Sequence, residues 1–168
     1  GGNTTVLPFA MQEKGQSLRE CVENYHKIAK DNLYIDTSFH LIISDPSPQV
    51  LGQELPALAR DGYTSFKVFM TYDDLVLNDE ELLKVFEVAK KEKTLVMVHA
   101  EGYDAIRYLT KKLEDEGKSA PYYHGISRSQ IVEREATHRA ISHAQIVDIP
   151  IVIVHVSGNE ALSQIKWA

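Results

Sequence analysis

A lysine stands in the middle of an apolar run, SFKVFM, at residues 65–70. Lysine is almost never fully buried without a partner. Burial disfavours its charged form and lowers the pKa of the amine, so a desolvated Lys67 exposes a neutral nitrogen. Such a nitrogen adds CO₂ and becomes a carbamate, an anion whose two oxygens can bridge two metal ions. Two further apolar runs carry histidine near their ends. TLVMVHA, residues 94–100, holds His99, and IPIVIVHVS, residues 149–157, holds His155. Neutral imidazole is the commonest biological metal ligand. Two histidines from different strands can hold a zinc ion.

Side chains alternate between the two faces of a strand. Lys67 therefore shares a face with Ser65 and Phe69, His99 with Leu95 and Met97, and His155 with Ile151 and Ile153. All three lie toward the C-terminal ends of their strands, the edge that carries active sites in parallel α/β folds. A lone histidine near a strand end is more often a hydrogen-bonded structural residue, and a lone lysine can snorkel to the rim. Three such residues on three successive strands weigh against coincidence. His40, within SFHLII, reads either as a satisfied core histidine, the favoured reading, or as a residue lining the pocket, and His26, His138 and His143 read as surface or cap residues on helices.

The elements needed to position these residues follow from periodicity. Strands are expected at residues 4–10, 34–43, 65–70, 94–100 and 149–157. Helices are expected after Ser17 and Glu20, which form a capping-box pattern, over about 50–60, after the Asn78 cap, over about 103–116, over about 129–147, and from Gly158 onward. Residues 117–128, with Pro121 and two tyrosines, read as a polar loop. Strand and helix thus alternate five times, with an inserted helix before the last strand. That order implies parallel strands joined by right-handed crossovers. Two architectures satisfy it: a doubly wound sheet, or part of a (β/α)₈ TIM barrel. No glycine-rich phosphate loop follows any strand, which weakens the nucleotide-binding alternative.

The 168 residues suffice for one domain with a sizeable core. The net charge of −6 and the lack of a basic run argue against nucleic acid and leave small molecules as partners. No apolar run reaches membrane-spanning length. The single cysteine, Cys21, excludes an internal disulfide and points to a reducing, cytoplasmic setting. The chain opens without methionine on Gly1-Gly2 and stops within a helical pattern, as expected of an interior piece of a longer protein.

The segments GGNTT, YIDTSFHL, SFKVFMTY, VMVHAEGYDAI, YYHGISRS, EREATHRAI and IVIVHVS together resemble the dihydropyrimidinase/hydantoinase branch of the amidohydrolase superfamily, over essentially the whole chain. The resemblance implies a metal-dependent (β/α)₈ barrel of which residues 1–168 supply about strands 2 to 6. The rest of the barrel and a small β-rich domain would lie elsewhere. It implies two zinc ions bridged by Lys67 as N6-carboxylysine, with His99 and His155 on the second metal. Tyr72 would bind the substrate and stabilise the oxyanion. The implied reaction opens the ring of a dihydropyrimidine or 5-substituted hydantoin to give an N-carbamoyl amino acid, in a homotetramer or homodimer. Gly102 departs from the family's HAEN pattern and Ser129 from its SRP pattern. The alternative is a non-catalytic relative, like the collapsin response mediator proteins, that acts in assembly. Lys67, His99 and His155 argue against it.

Overall fold

A computed structural model of the chain describes residues 2–168, so Gly1 of the GGNTT segment lies outside the described residues. The first expected strand is interrupted. Pro8 has no N–H to offer a ladder, and it separates β1 (Thr5–Val6) from β2 (Phe9–Met11). Its carbonyl still accepts from the His40 amide at 2.9 Å. The second expected strand is likewise two pieces, β3 (Asp36–Thr37) and β4 (His40–Ile42). β1 and β3 pair in a small parallel sheet of their own.

Helix α1 (Leu18–Ala29) lies between these strands, and the Ser17 hydroxyl accepts from the Glu20 amide at its start. After β4 a π-helical turn, Val50–Glu54, runs into α2 (Leu55–Arg60). β5 (Ser65–Phe69) carries Lys67. α3 (Asp79–Glu92) opens on a full capping box between Asn78 and Glu81. β6 (Leu95–His99) follows, then α4 (Tyr103–Asp115). Residues 117–128 are not a loop throughout. They contain a short helix, α5 (Tyr122–Ser127), entered from Pro121, whose fixed φ suits a helix start. α6 (Gln130–Val147), β7 (Ile151–Ile153) and α7 (Asn159–Trp167) complete the chain. β7 is much shorter than the run expected at 149–157.

The main sheet is parallel throughout, in the order β2-β4-β5-β6-β7. Chain order and spatial order coincide. With right-handed crossovers, sequential order places every crossover helix on one face, whereas a doubly wound sheet reverses direction and covers both. One face is indeed covered. Ala10, Leu41, Phe66, Val68, Val96 and Val98 are fully buried against α1, α2, α3 and α6. The other face is open. Phe9 is 42% exposed, Met11 46%, Leu95 39% and Val152 40%. The protein is an α/β chain whose parallel strands stand in sequential order, with helices packed on one face. Among the described residues no helix is long and apolar enough to cross a membrane.

Candidate active site

The open face of the sheet carries the chemistry. Phe69 is in register with His99, and Lys67 with Met97. Lys67 and His99 therefore stand on the uncovered side, as alternation requires. Lys67 is only 4% exposed. Its Nζ lies 3.6 Å from the centroid of the Phe69 ring. Among the described residues it has no hydrogen bond or ion pair. A cation over a ring face gains a little, but less than the water it has lost. Burial lowers the amine from its ordinary 10.5 to about 8.

Phe69 stacks on His99 at 5.3 Å, and Tyr72 meets the same imidazole edge-on at 5.1 Å. His155 approaches His99 to 4.5 Å between ring centroids. The structure thus brings all four sequence-identified residues, Lys67, Tyr72, His99 and His155, into one cluster, with Lys67 at the centre of β5 and the other three beyond or at the carboxyl ends of β5, β6 and β7. Partial desolvation lowers the pKa of His155, though the residue is exposed overall, and the neighbouring His99 and Lys67 lower it further, which favours the neutral imidazole that binds metal.

His155 does not arrive there by alternation. Ile151 and Ile153 are in register with Val96 and Val98, on the helix-covered face. A regular strand would send His155 to that face too. Instead β7 stops at Ile153, and His155 adopts φ +39°, which swings its exposed ring across to His99. Among the described residues, five other than glycine have positive φ. Asp31, Lys93 and Asp148 do so at helix C-termini, where left-handed backbone is usual. The remaining two are His155 and Tyr72, at φ +74°. Left-handed backbone at bulky side chains costs of order 1–3 kcal/mol and concentrates at functional sites.

Two residues of this cluster had no assigned role at the sequence level. Glu101 accepts from His99 Nε2 at 2.7 Å, and the same carboxylate oxygen accepts from Arg128 Nη1 at 2.7 Å. The Arg128 guanidinium lies 5.3 Å from the Tyr72 ring centroid. The hydrogen bond from His99, together with Arg128, holds Glu101 below the usual carboxylate range despite burial. Its place two residues after the strand-end histidine, in VHAE, was the available signal. Tyr103 on α4 donates to Asp73 and ties down the turn that carries Tyr72. A cavity of about 400 Å³ opens between His99, Glu101, Arg128 and His155.

The other histidines lie elsewhere. His40 is on the open face but two residues earlier in register, and its Nδ1 pairs with Ser65 Oγ at 2.6 Å, as a structural role requires. His26 and His138 are exposed on helices, paired with Tyr63 and Gln164. His143 differs from expectation: it is largely buried, with Nε2 3.2 Å from an Asp79 carboxylate oxygen.

Among the described residues no group of three or more His, Cys, Asp or Glu side chains is arranged to hold a metal. The donor set of the cluster is two imidazoles and one buried, unpartnered amine, which suits a shared part of a metal centre once the amine becomes an anion. While it stays an amine, its burial is a cost. Below pH 8 Lys67 is protonated both folded and unfolded, and the penalty is full. Between pH 8 and 10.5 only the unfolded chain keeps the proton, so stability rises with pH; above 10.5 the penalty is gone. Lys67→Met is therefore expected to stabilise metal-free protein at pH 7 by up to about 3 kcal/mol, and by much less near pH 10.5. Urea midpoints of both proteins at the two pH values check this, and equal midpoints at pH 7 would contradict it.

No protein-family model matches the chain. It is 46% identical to a D-hydantoinase of Ralstonia pickettii, an alignment that covers 100% of this chain and 37% of that protein. It is 37% identical to a dihydropyrimidinase of Rattus norvegicus, covering 100% of this chain and 33% of the relative. Among solved structures, a D-hydantoinase superposes with a TM-score of 0.96 at 45% identity, over 99% of this chain and 36% of that one. A dihydropyrimidinase from Brevibacillus agri gives 0.94 at 39% identity, over 99% and 36%. The chain spans about a third of the length of the relatives it matches. Matching them from end to end in sequence and backbone, it belongs to the D-hydantoinase/dihydropyrimidinase family.

Proposed function

We propose that the full-length protein carrying this chain hydrolyses the cyclic amide bond of a dihydropyrimidine or a 5-substituted hydantoin. The observation that carries this reading is Lys67: a buried amine without a polar partner, on one sheet face with His99, whose ring meets those of His155 and Tyr72. The names of the relatives supply the substrate class.

The neutral Lys67 nitrogen attacks the carbon of CO₂ and loses a proton, leaving an N-carboxylate. This group and the two imidazoles would hold zinc, with the remaining ligands contributed from outside this chain. Bound zinc supplies Lewis-acid polarisation of a carbonyl and lowers the pKa of water. By accepting the Nε2 proton of His99, Glu101 leaves Nδ1 of that ring free for metal. The Tyr72 hydroxyl donates to the carbonyl oxygen as negative charge develops on it. Net hydrolysis adds water across the ring C–N bond: the carbon keeps the oxygen as a carboxylate, the nitrogen takes a proton, and an N-carbamoyl amino acid leaves. Closure of the open sheet face by further strands would make this chain about strands 2 to 6 of a (β/α)₈ barrel. The complete protein would be a cytoplasmic homotetramer or homodimer.

Assay of the full-length protein on dihydrouracil and on 5-substituted hydantoins, with zinc analysis, tests this directly. Absence of both turnover and zinc would end the reading. Tyr72→Phe is expected to leave zinc content unchanged and to lower kcat by about 10²–10³, the scale of one oxyanion donor. A loss confined to KM would make Tyr72 a ground-state binder instead.

A further inference from the structure

The backbone at His155 is held by a contact that the reaction scheme above does not use. Glu133, in the first turn of α6, accepts from the Ser157 amide through Oε1 and from the Gly158 amide through Oε2, each at 2.7 Å. Both oxygens are thus spent on the two residues that follow the turn at His155. The Ser157 hydroxyl closes that turn by donating to the His155 carbonyl at 3.0 Å. The fit leaves no spare room. A Cβ on Gly158 would lie 2.8 Å from Glu133 Oε2 and 3.2 Å from the Gln130 side chain. Gly158 is what lets the carboxylate come this close to the chain.

Five residues before Glu133, Arg128 reaches the other histidine. Its Nη1 holds the Glu101 oxygen that receives His99 Nε2–H. Arg128 and Glu101 are each 19% exposed in their side chains, so the pair is largely shielded from water. Between and beyond these two anchors α6 is fixed to the sheet, with Val132, Ala136, Ala140 and Ala144 buried. Arg128 and Glu133 line the same cavity as His99 and His155.

We infer that residues 128–133, at the start of α6, form a single positioning element for both histidines: Arg128 sets the His99 ring through Glu101, and Glu133 sets His155 through the Ser157 and Gly158 amides. The inference rests on the reading that these histidines hold metal. It explains how a left-handed histidine persists at the end of a strand that would otherwise face it away. A strained backbone stays put only where its surroundings over-determine it, and a carboxylate accepting two backbone N–H groups is a strong, directional clamp.

Glu133→Gln in the full-length holoenzyme tests this, because the amide retains the shape but can accept only through its oxygen. Gly158→Ala attacks the same contact from the other side. Each is expected to weaken zinc retention against a chelator by about 10- to 100-fold, the usual effect of losing an outer-shell partner. The visible spectrum of the cobalt-substituted protein should change, and kcat should fall with KM nearly constant. Arg134→Gln removes a different α6 contact, the 2.8 Å ion pair with Glu160 on α7. It should leave zinc retention and the cobalt spectrum unchanged, which separates positioning from mere helix packing. Wild-type zinc affinity in both Glu133→Gln and Gly158→Ala overturns the inference. If Glu133→Gln fails to fold, Gly158→Ala alone decides it by the same criterion. His155→Ala separates the two levels of argument. If it too keeps its zinc, the metal reading has failed; if it loses zinc while the positioning variants do not, only the positioning role has.

Discussion

Lys67→Ala in the full-length protein is expected to abolish hydrolysis, by at least about 10³-fold in kcat, and to strip the zinc. The magnitude corresponds to about 4 kcal/mol of transition-state stabilisation. Lys67 sits at the centre of β5 with 4% exposure, between the buried Phe66 and Val68. Only the neutral amine takes up CO₂. With a pKa of about 8 in place of 10.5, the neutral fraction at pH 7 rises by about 300-fold. The burial that makes Lys67 a liability for stability is therefore what would make it competent for the proposed carboxylation. Alanine removes the anion on which both metals would depend. It also removes the buried amine, which offsets part of the cost of the volume it vacates, and a urea midpoint close to the parent's will show that loss of activity is not a folding artefact. A short carboxylic acid added to Lys67→Ala should restore part of both zinc content and turnover by occupying the vacated volume. Zinc analysis and steady-state rates are the measurements. Full zinc with full turnover in Lys67→Ala would remove the foundation of the proposed mechanism.

The second large effect concerns the 168-residue polypeptide expressed by itself. It is expected to show no turnover of dihydrouracil, even with added zinc and bicarbonate, and to self-associate. Each zinc takes about four ligands, and this cluster offers two imidazoles and one amine. In the proposed scheme the carboxylate on Lys67 would be retained only by bound metal, so in this chain alone Lys67 should remain an amine. The fold has a matching deficiency. Phe9, Met11, Leu95 and Val152 project from the uncovered face, and β2 and β7 leave their outer backbone edges unpaired. Contiguous apolar surface and open strand edges both drive association. Sedimentation over a range of concentrations reads the association, and product formation reads the activity. A monodisperse monomer would show that the open face is tolerated in water. Turnover near that of a complete hydantoinase would mean the site is assembled in another way and would overturn the ligand assignment.

Much of this was written locally in the chain. The apolar runs of β5 and β6 are continuous and regular, so alternation alone placed Lys67 and His99 on one face, and the registers of Phe69 with His99 and of Lys67 with Met97 agree. The strand–helix alternation dictated a parallel sheet, and the observed sequential order removed the doubly wound option. Where the reading failed, the deciding forces were not local. Pro8 divides the first strand, and α5 is too short and polar to show a hydrophobic period. His155 comes beside His99 by a route that alternation does not give, because alternation holds only while the strand continues, and β7 ends two residues before it. The backbone just after His155 is held by the Glu133 carboxylate, 24 residues before the Ser157 amide that it accepts from. What orients His99 is Glu101, locked by an arginine 27 residues further on. Periodicity reports which face a side chain occupies, because that depends on neighbours in the chain. The aim of a ligand depends on hydrogen bonds between elements remote in sequence, and those exist only once the helices have packed against the sheet.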